Sequence, residues 1–372
     1  MTRHLLHLLA RALVPLLAVA LCLILVLFAL AGAGFGRDEG ESFPVGVRHI
    51  TRVVWDRSLL PSPPSRRPER PDEARRENYR TWIQALVAAT PILLTGLAVA
   101  LAFRASVLNI GAEGQYILGA IVANLAGLHA SGHQWFLVTL LMIAGFAAGA
   151  LFASITALLE QWRKVPVVLS SLLLNFVAAI FLKVLLQGPM HEAGSQLRSE
   201  ELPELACLPH IFLHGKRTDL HIGFFIAIAC AILLSGVLRF TTFGFHLRAT
   251  GANPIASRFA GIRVGAVAVA TLCLSGGLAG LAGAIQLAGV PSYLLLPDTA
   301  SSGYGFTGIA VALLGRLSPL GVVLAALFFG WLQTAFAALE TELHVPFLTL
   351  QATQGSILIA MLILTNLKWG RR

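Results

Sequence analysis

The residues best able to do chemistry in this chain sit together in NIGAEGQ, residues 109–115. Asn109, Glu113 and Gln115 put one carboxylate and two amides among almost unbroken apolar sequence. Two chemistries suit that set. Gly111 and Gly114 weaken a helix, and a helix interrupted inside a bilayer leaves backbone N–H groups that need polar partners. Asn109 would then cap the new helix, with Glu113 in its first turn favoured by the helix dipole. The other chemistry is a polar lining for a solute passage, because an acid at mid-membrane is costly and usually faces a cavity or a partner. Both readings stand at this level. Asn175, inside SLLLNFVAA, is a further passage candidate, although a buried Asn in a membrane helix more often bonds a neighbouring helix. SSGYGFTGIAVALLGRLSP (301–319) is a second short, glycine-broken apolar segment, and its Thr307 joins the passage candidates. Paired broken segments in two halves of a chain mark the substrate route of secondary transporters.

Enzymatic constellations are missing. The sequence holds no GxxxxGK[ST] phosphate loop, no HExxH, no nucleophile elbow and no clustered Asp pair. No catalytic residue, metal-ligand set or cofactor bound by this chain is therefore expected. After Asp219 the acids are Asp298, Glu340 and Glu342, all in predicted outer loops. His191, His210, His214 and His221 read as solvated loop residues. Cys22, Cys230 and Cys273 lie in apolar runs as core thiols, Cys207 stands alone in a polar loop, and no disulfide framework follows.

The elements that must position these residues are membrane helices. The 372 residues are 56% hydrophobic and 12% charged, and that charged share is about half the value usual for soluble domains. The net charge of +9 comes largely from short Arg/Lys clusters between apolar runs, the pattern of cytoplasmic loops and not of a nucleic-acid-binding face. Ten segments are candidate spans: 12–34, 83–103, 108–131, 135–159, 165–187, 221–240, 265–289, 303–315, 319–339 and 351–367. The first is too long for a signal h-region and reads as an uncleaved span. Segment 303–315 is too short to cross and reads as a half-helix or re-entrant piece. The expected fold is all-α, a polytopic membrane protein of about ten transmembrane or re-entrant segments with broken helices. GFAAG (145–149) and GGLAG (276–280) carry GxxxG spacing, which permits close helix approach but is common enough to weigh little alone.

Short loops orient the chain. With the N-terminus inside, Arg104, QWRK (161–164), the stretch from Arg239 to Arg263, Arg316 and the KWGRR tail all fall on the cytoplasmic side. The expected organisation is an N-terminal span (1–36), a polar Arg/Pro-rich extramembrane loop (37–82) and a transmembrane domain (83–372) with an outer loop at 188–220. The 37–82 loop falls outside although it holds ten arginines against eight acids, and its SPPSRRPERPDEARRE core reads as flexible. On the cytoplasmic side, Asn253-Pro254 is a good helix start, with Asn as cap and Pro in the first position. Ile255, Phe259 and Ile262 follow at helical spacing, so a short amphipathic surface helix is expected at about 252–263.

FRASVLNIGAEGQ, YGFTGIAVALLG (304–315), FGFHLRATGANPIASRFAGIRV (243–264) and VPVVLSSLLLNF (165–176) together resemble one family. It is the permease subunit of type II ABC importers, specifically the simple-sugar and nucleoside branch of the branched-chain amino acid/ribose permease family. The resemblance runs from about Trp82 to the end. The extra N-terminal span is similar to that of the longer of the two paired permeases in nucleoside-type systems, whereas the Arg/Pro-rich loop lies outside the family pattern. The resemblance implies that the 252–263 helix is a coupling helix docking on a cytoplasmic ATPase subunit, with Arg248, Gly251, Asn253, Pro254 and Gly261 at its motif positions. It also implies ATP and Mg on that separate ATPase, a second homologous permease as heterodimer partner, and an external substrate-binding protein. The solute would be a nucleoside or simple sugar, moved across a bacterial inner membrane by alternating access, with both termini cytoplasmic. Two alternatives remain open: an ion-coupled secondary transporter using Glu113, and a non-transporting membrane scaffold.

Overall fold

Lipid offers no hydrogen-bond partner to a backbone N–H or C=O, so long apolar runs can cross it only as helices that satisfy themselves. A computed structural model describes residues 43–58, 71–191, 198–213, 216–290, 302–346 and 348–366, with scattered positions between 23 and 35. Its elements are α1 (Phe43–Ser58), α2 (Pro71–Arg104), α3 (Ala112–His129), α4 (Gln134–Arg163) and α5 (Val167–Gln187). A hairpin of β1 (His210–Leu213) and β2 (Lys216–His221) follows. Then come α6 (Gly223–Phe240), α7 (Thr242–Ala252), α8 (Pro254–Phe259), α9 (Val264–Gly289), α10 (Tyr304–Leu314), α11 (Pro319–Leu343) and α12 (Leu348–Asn366). Among the described residues, six helices are long and apolar enough to cross a membrane: Arg80–Arg104 of α2, then α4, α5, α6, α9 and α11. The all-α, multi-pass architecture is thus as the sequence indicates.

Several elements differ from expectation. Most of the 12–34 segment lies outside the described residues. Segment 108–131 forms α3, but Glu113, Gln115 and Asn124 keep it out of the apolar set, and its sides are largely buried by protein. The 303–315 segment is the eleven-residue α10, about 16 Å of helix at 1.5 Å per residue and too short for a bilayer core. Within the stretch 37–82 the described residues form α1 and the start of α2. Gly46, Ile50 and Val53 recur at helical spacing in α1 and are buried, while Arg48 and Arg52 are exposed, and α2 begins at Pro71, where a missing N–H costs nothing. The β1–β2 hairpin forms at 210–221, with His210 opposite His221.

The chain divides into two units, residues 1–85 with 330–372, and residues 86–329. The first contains α1, the start of α2, the end of α11, and α12. The second contains every candidate site residue, and its centre is the mutual packing of α3, α4 and α9. The two GxxxG motifs meet there. A Cβ added at Gly149 would strike the Gly276 carbonyl oxygen, and one at Gly280 would strike that of Gly145. Gly119 of α3 packs on Gly280, and Gly283 packs on Tyr116 and Ala120. The α4–α9 register makes α9 antiparallel to α4, and since α3 and α4 fold back on each other across a short turn, with Gly145 beside Gly119, α9 runs parallel to α3. Close backbone approach substitutes here for the hydrophobic effect that lipid removes.

Candidate functional site

The polar residues of NIGAEGQ converge on two helix starts. Helix α3 begins at Ala112, with Gly111 at the cap position and no side-chain cap of its own. Asn109 therefore does not cap α3 as expected, because it lies two residues too early. Its Oδ1 instead accepts from the Gly111 N–H at 2.9 Å, closing a local turn of the kind Asn favours. Its Nδ2 donates to Gln115 Oε1 (3.0 Å) and to Ser275 Oγ on α9 (2.9 Å). Gln115 Nε2 donates back to Asn109 Oδ1 at 3.2 Å. Ser275 passes the chain on, donating to the Ala98 carbonyl of α2 at 2.7 Å. Four segments are thus tied through two amides and one hydroxyl, all buried.

The first turn of α3 is capped from another helix. Asn175 Oδ1 on α5 accepts from the Gly114 N–H at 2.9 Å, and its Nδ2 donates to the Ile110 carbonyl at 3.0 Å. Ser171, one turn earlier on α5, accepts from the Ile110 N–H at 3.3 Å. Asn175 thus bonds a neighbouring segment, the commoner role for a membrane-helix Asn.

Glu113 reaches across to the second break. Its Oε2 accepts from the Gly305 N–H at 2.8 Å. Gly305 is the second residue of α10, so the carboxylate occupies the place where orphan helix donors and the positive dipole end favour an anion. Gly305 has no room for a side chain, because a Cβ would meet the backbone of Ala112 and Glu113. Thr95 of α2 donates to the Tyr304 carbonyl at 3.0 Å, and the rings of Tyr116 and Tyr304 stand 5.8 Å apart. Thr307 is buried one turn into α10, its N–H on the Gly303 carbonyl at 2.9 Å. The two broken helices therefore begin against each other, and all five passage candidates fall in one unit of the chain. Ser171, Ser275 and Thr95 escape sequence reasoning, since nothing in their own surroundings sets them apart from other small hydroxyls.

The 243–264 motif splits in two. Where the sequence predicts one helix at 252–263, Asn253 is extended between α7 and α8 (φ −159°, ψ 102°). Asn253 Oδ1 accepts from the N–H groups of Ile255 and Ala256, each at 3.0 Å, and Pro254 takes the first helical position. Gly261 ends the segment at φ 82°, a conformation favouring glycine. Gly251 is a packing residue: its Cα lies on the Arg104 carbonyl, and its own carbonyl accepts from Ser106 Oγ at 2.8 Å. Arg248 is exposed. Ile255 and Phe259 are 71% and 89% exposed.

One histidine departs from expectation. His221 is not solvated but fully buried, because the hairpin lays its ring against Gly289 and Gly223, where no side chain competes for the space. Burial, with the neighbouring His210 adding to it, pushes its pKa down to about 4. His214 lies outside the described residues.

A family described as branched-chain amino acid transport system / permease component matches residues 81–366. The glucose ABC transporter permease protein of Haloferax volcanii is 34% identical over 287 residues, covering 75% of this chain and 75% of that protein. The guanosine ABC transporter permease protein of Bacillus subtilis is 35% identical over 278 residues, covering 74% and 77%. The nucleoside ABC transporter permease protein NupB of Lactococcus lactis is 29% identical over 275 residues, covering 70% and 73%. No solved structure matches the chain. With the match running from the first described span to the last helix, and with both broken helices inside it, the chain belongs to the branched-chain amino acid transport system permease family, as a permease subunit of the ABC transporter type.

Proposed function

We propose that this permease imports a neutral hydrophilic solute, a nucleoside or simple sugar, across the bacterial inner membrane, driven by ATP bound with Mg on a separate cytoplasmic ATPase. A second, homologous permease completes the passage, and an external binding protein delivers the solute. Both termini lie in the cytoplasm in this reading. The solute class follows the names carried by the relatives, glucose, guanosine and nucleoside permeases. The observation that carries the reading is α8: a helix capped by Asn253 with two large apolar side chains left uncovered by the rest of the chain. Exposed apolar groups on a capped surface element mark a protein partner more readily than a free loop.

Mechanical linkage follows from the contacts around that helix. A pull on α8 reaches α7, whose Gly251 sits on the Arg104 backbone and bonds Ser106. The turn from Arg104 leads to Asn109, where the interlock with Ser275 and Gln115 begins. Rigid-body rocking of such packed elements, with the helix starts as hinges, would open the passage to each side in turn. Glu113 serves this cycle as a cap on α10, a role that does not require it to carry an ion.

Ile255→Glu and Phe259→Glu test the reading, because both side chains are exposed and neither supports the fold. We expect membrane insertion and melting to be unchanged, while ATPase co-purification and uptake of labelled guanosine or glucose are lost. Uptake that persists in both variants, or that survives ATP depletion, would overturn it.

A further inference from the structure

Beyond the polar contacts at the start of α3 lie two more polar side chains that those contacts do not use. Asn124 on α3 is 0% exposed, and among the described residues neither its Nδ2 nor its Oδ1 has a hydrogen-bond partner. Gln286 on α9 is 5% exposed, and its Oε1 likewise lacks one. Buried amides without partners are uncommon and call for a cause. In lipid-embedded protein they are costlier than the Leu or Met of the same shape that could replace them.

Their positions are related. Asn124 stands eleven residues after Glu113, and Gln286 eleven residues after Ser275. Eleven residues are almost a whole number of helical turns, so each lies on the same helix face as its predecessor, about 16 Å further along. Glu113 faces α10 and Ser275 faces Asn109 and α2. Glu113 and Ser275 both belong to the polar contacts around the start of α3, and each helix carries an unpartnered amide group three turns further on. They are also level. Gly119 meets Gly280, and Gly283 meets Ala120 and Tyr116, offsets of 161, 163 and 167 residues between the parallel helices, and the 162 between Asn124 and Gln286 falls within that range.

Resting on the import reading above, we propose that Asn124 and Gln286 form a solute-recognition subsite on the outer half of the passage. An amide offers one donor edge and one acceptor edge in a plane. Two of them at one level suit a neutral ligand that presents adjacent donors and acceptors, the edge of a nucleobase or the vicinal hydroxyls of a sugar. Amide side chains pair bidentately with nucleobase edges elsewhere on the same geometric grounds. No charged side chain is part of the pair, so a charged solute gains nothing there. When the passage opens outward the amides exchange protein neighbours that offer them no hydrogen bond for the solute.

The test uses cells expressing the intact transporter, with Asn124→Leu and Gln286→Met as shape-preserving variants and labelled guanosine and glucose as the two probes. We expect the KM of the transported probe to rise at least tenfold in each variant, with the maximal rate less affected and the melting temperature of the purified chain equal or higher. A purely structural role would move melting downward instead. Which probe shows the KM shift separates the nucleobase source from the sugar source. Variants with unchanged KM, or with uptake lost only in step with melting, overturn the subsite while leaving import intact. If the unaltered transporter takes up neither probe, the import reading itself falls and the subsite with it.

Discussion

Glu113 illustrates how one residue can serve two broken helices. It sits in the first turn of one and accepts from the N-terminal backbone of the other. Glu113→Ala would leave the Gly305 N–H buried without an acceptor, a loss of about 1–3 kcal/mol for a bond to a charged group. We therefore expect a clear drop in melting temperature for Glu113→Ala, and a smaller one for Glu113→Gln, which keeps an acceptor oxygen but gives up the charge favoured at a helix start. Equal melting of Glu113→Ala and the unaltered chain would show that the cap carries no stability. At this scale much is legible in the sequence: Asn109, Glu113, Gln115 and Asn175 stand out because amides and acids are conspicuous among apolar residues. Their partners are not. Ser171, Ser275 and Thr95 also donate to carbonyls of their own or another helix, a habit of hydroxyls in any helix, so only packing identifies the ones that reach across. The sequence points to Asn109 as the cap on α3 for the same reason, since the real acceptor, Asn175, is 61 residues away from Gly114.

Elements show the same pattern, with local signals reliable and contacts between helices invisible. Asn253-Pro254 starts a helix where its chemistry says it should, because cap and first turn are adjacent in the chain. The α7–α8 break and the burial of Gly251 on Arg104 leave no such local trace, because both depend on what α2 brings alongside. The GxxxG spacings weigh little as sequence and prove to be partners of each other. Gly149→Val would drive a branched side chain into the Gly276 carbonyl, an overpacking that typically costs about 1–3 kcal/mol or more. Gly236 on α6 has open space for at least 4 Å around the point where a methyl group would sit, and Gly236→Ala should add up to about 1 kcal/mol through helix propensity. The expected outcome is therefore opposite for two glycines in apolar helices: loss of monodisperse protein on detergent chromatography for Gly149→Val, and unchanged or improved yield for Gly236→Ala.

For the whole molecule, pH is the lever that reaches furthest, through His221. Its folded pKa is about 4 against 6.5 for a free imidazole, chiefly because burial disfavours the charged ring and secondarily because His210 lies beside it. Between those two values the unfolded chain binds a proton that the folded chain refuses. Stability from this group is therefore full above about pH 6.5 and is lost as pH falls toward 4, amounting to about 2 kcal/mol at pH 5. The ring also accepts from the Gly223 N–H at 3.2 Å through Nδ1 and fills the space beside Gly289, so protonation strains the junction of hairpin, α6 and α9 together. Melting of the purified chain in detergent at pH 7.5 and pH 5 measures the effect. We expect the midpoint to fall on acidification, and to fall less in His221→Gln, which keeps an acceptor but cannot titrate. An equal fall in both would assign the acid sensitivity to other groups, and a midpoint that rises on acidification would mean that His221 is charged, and therefore partnered, in the folded chain.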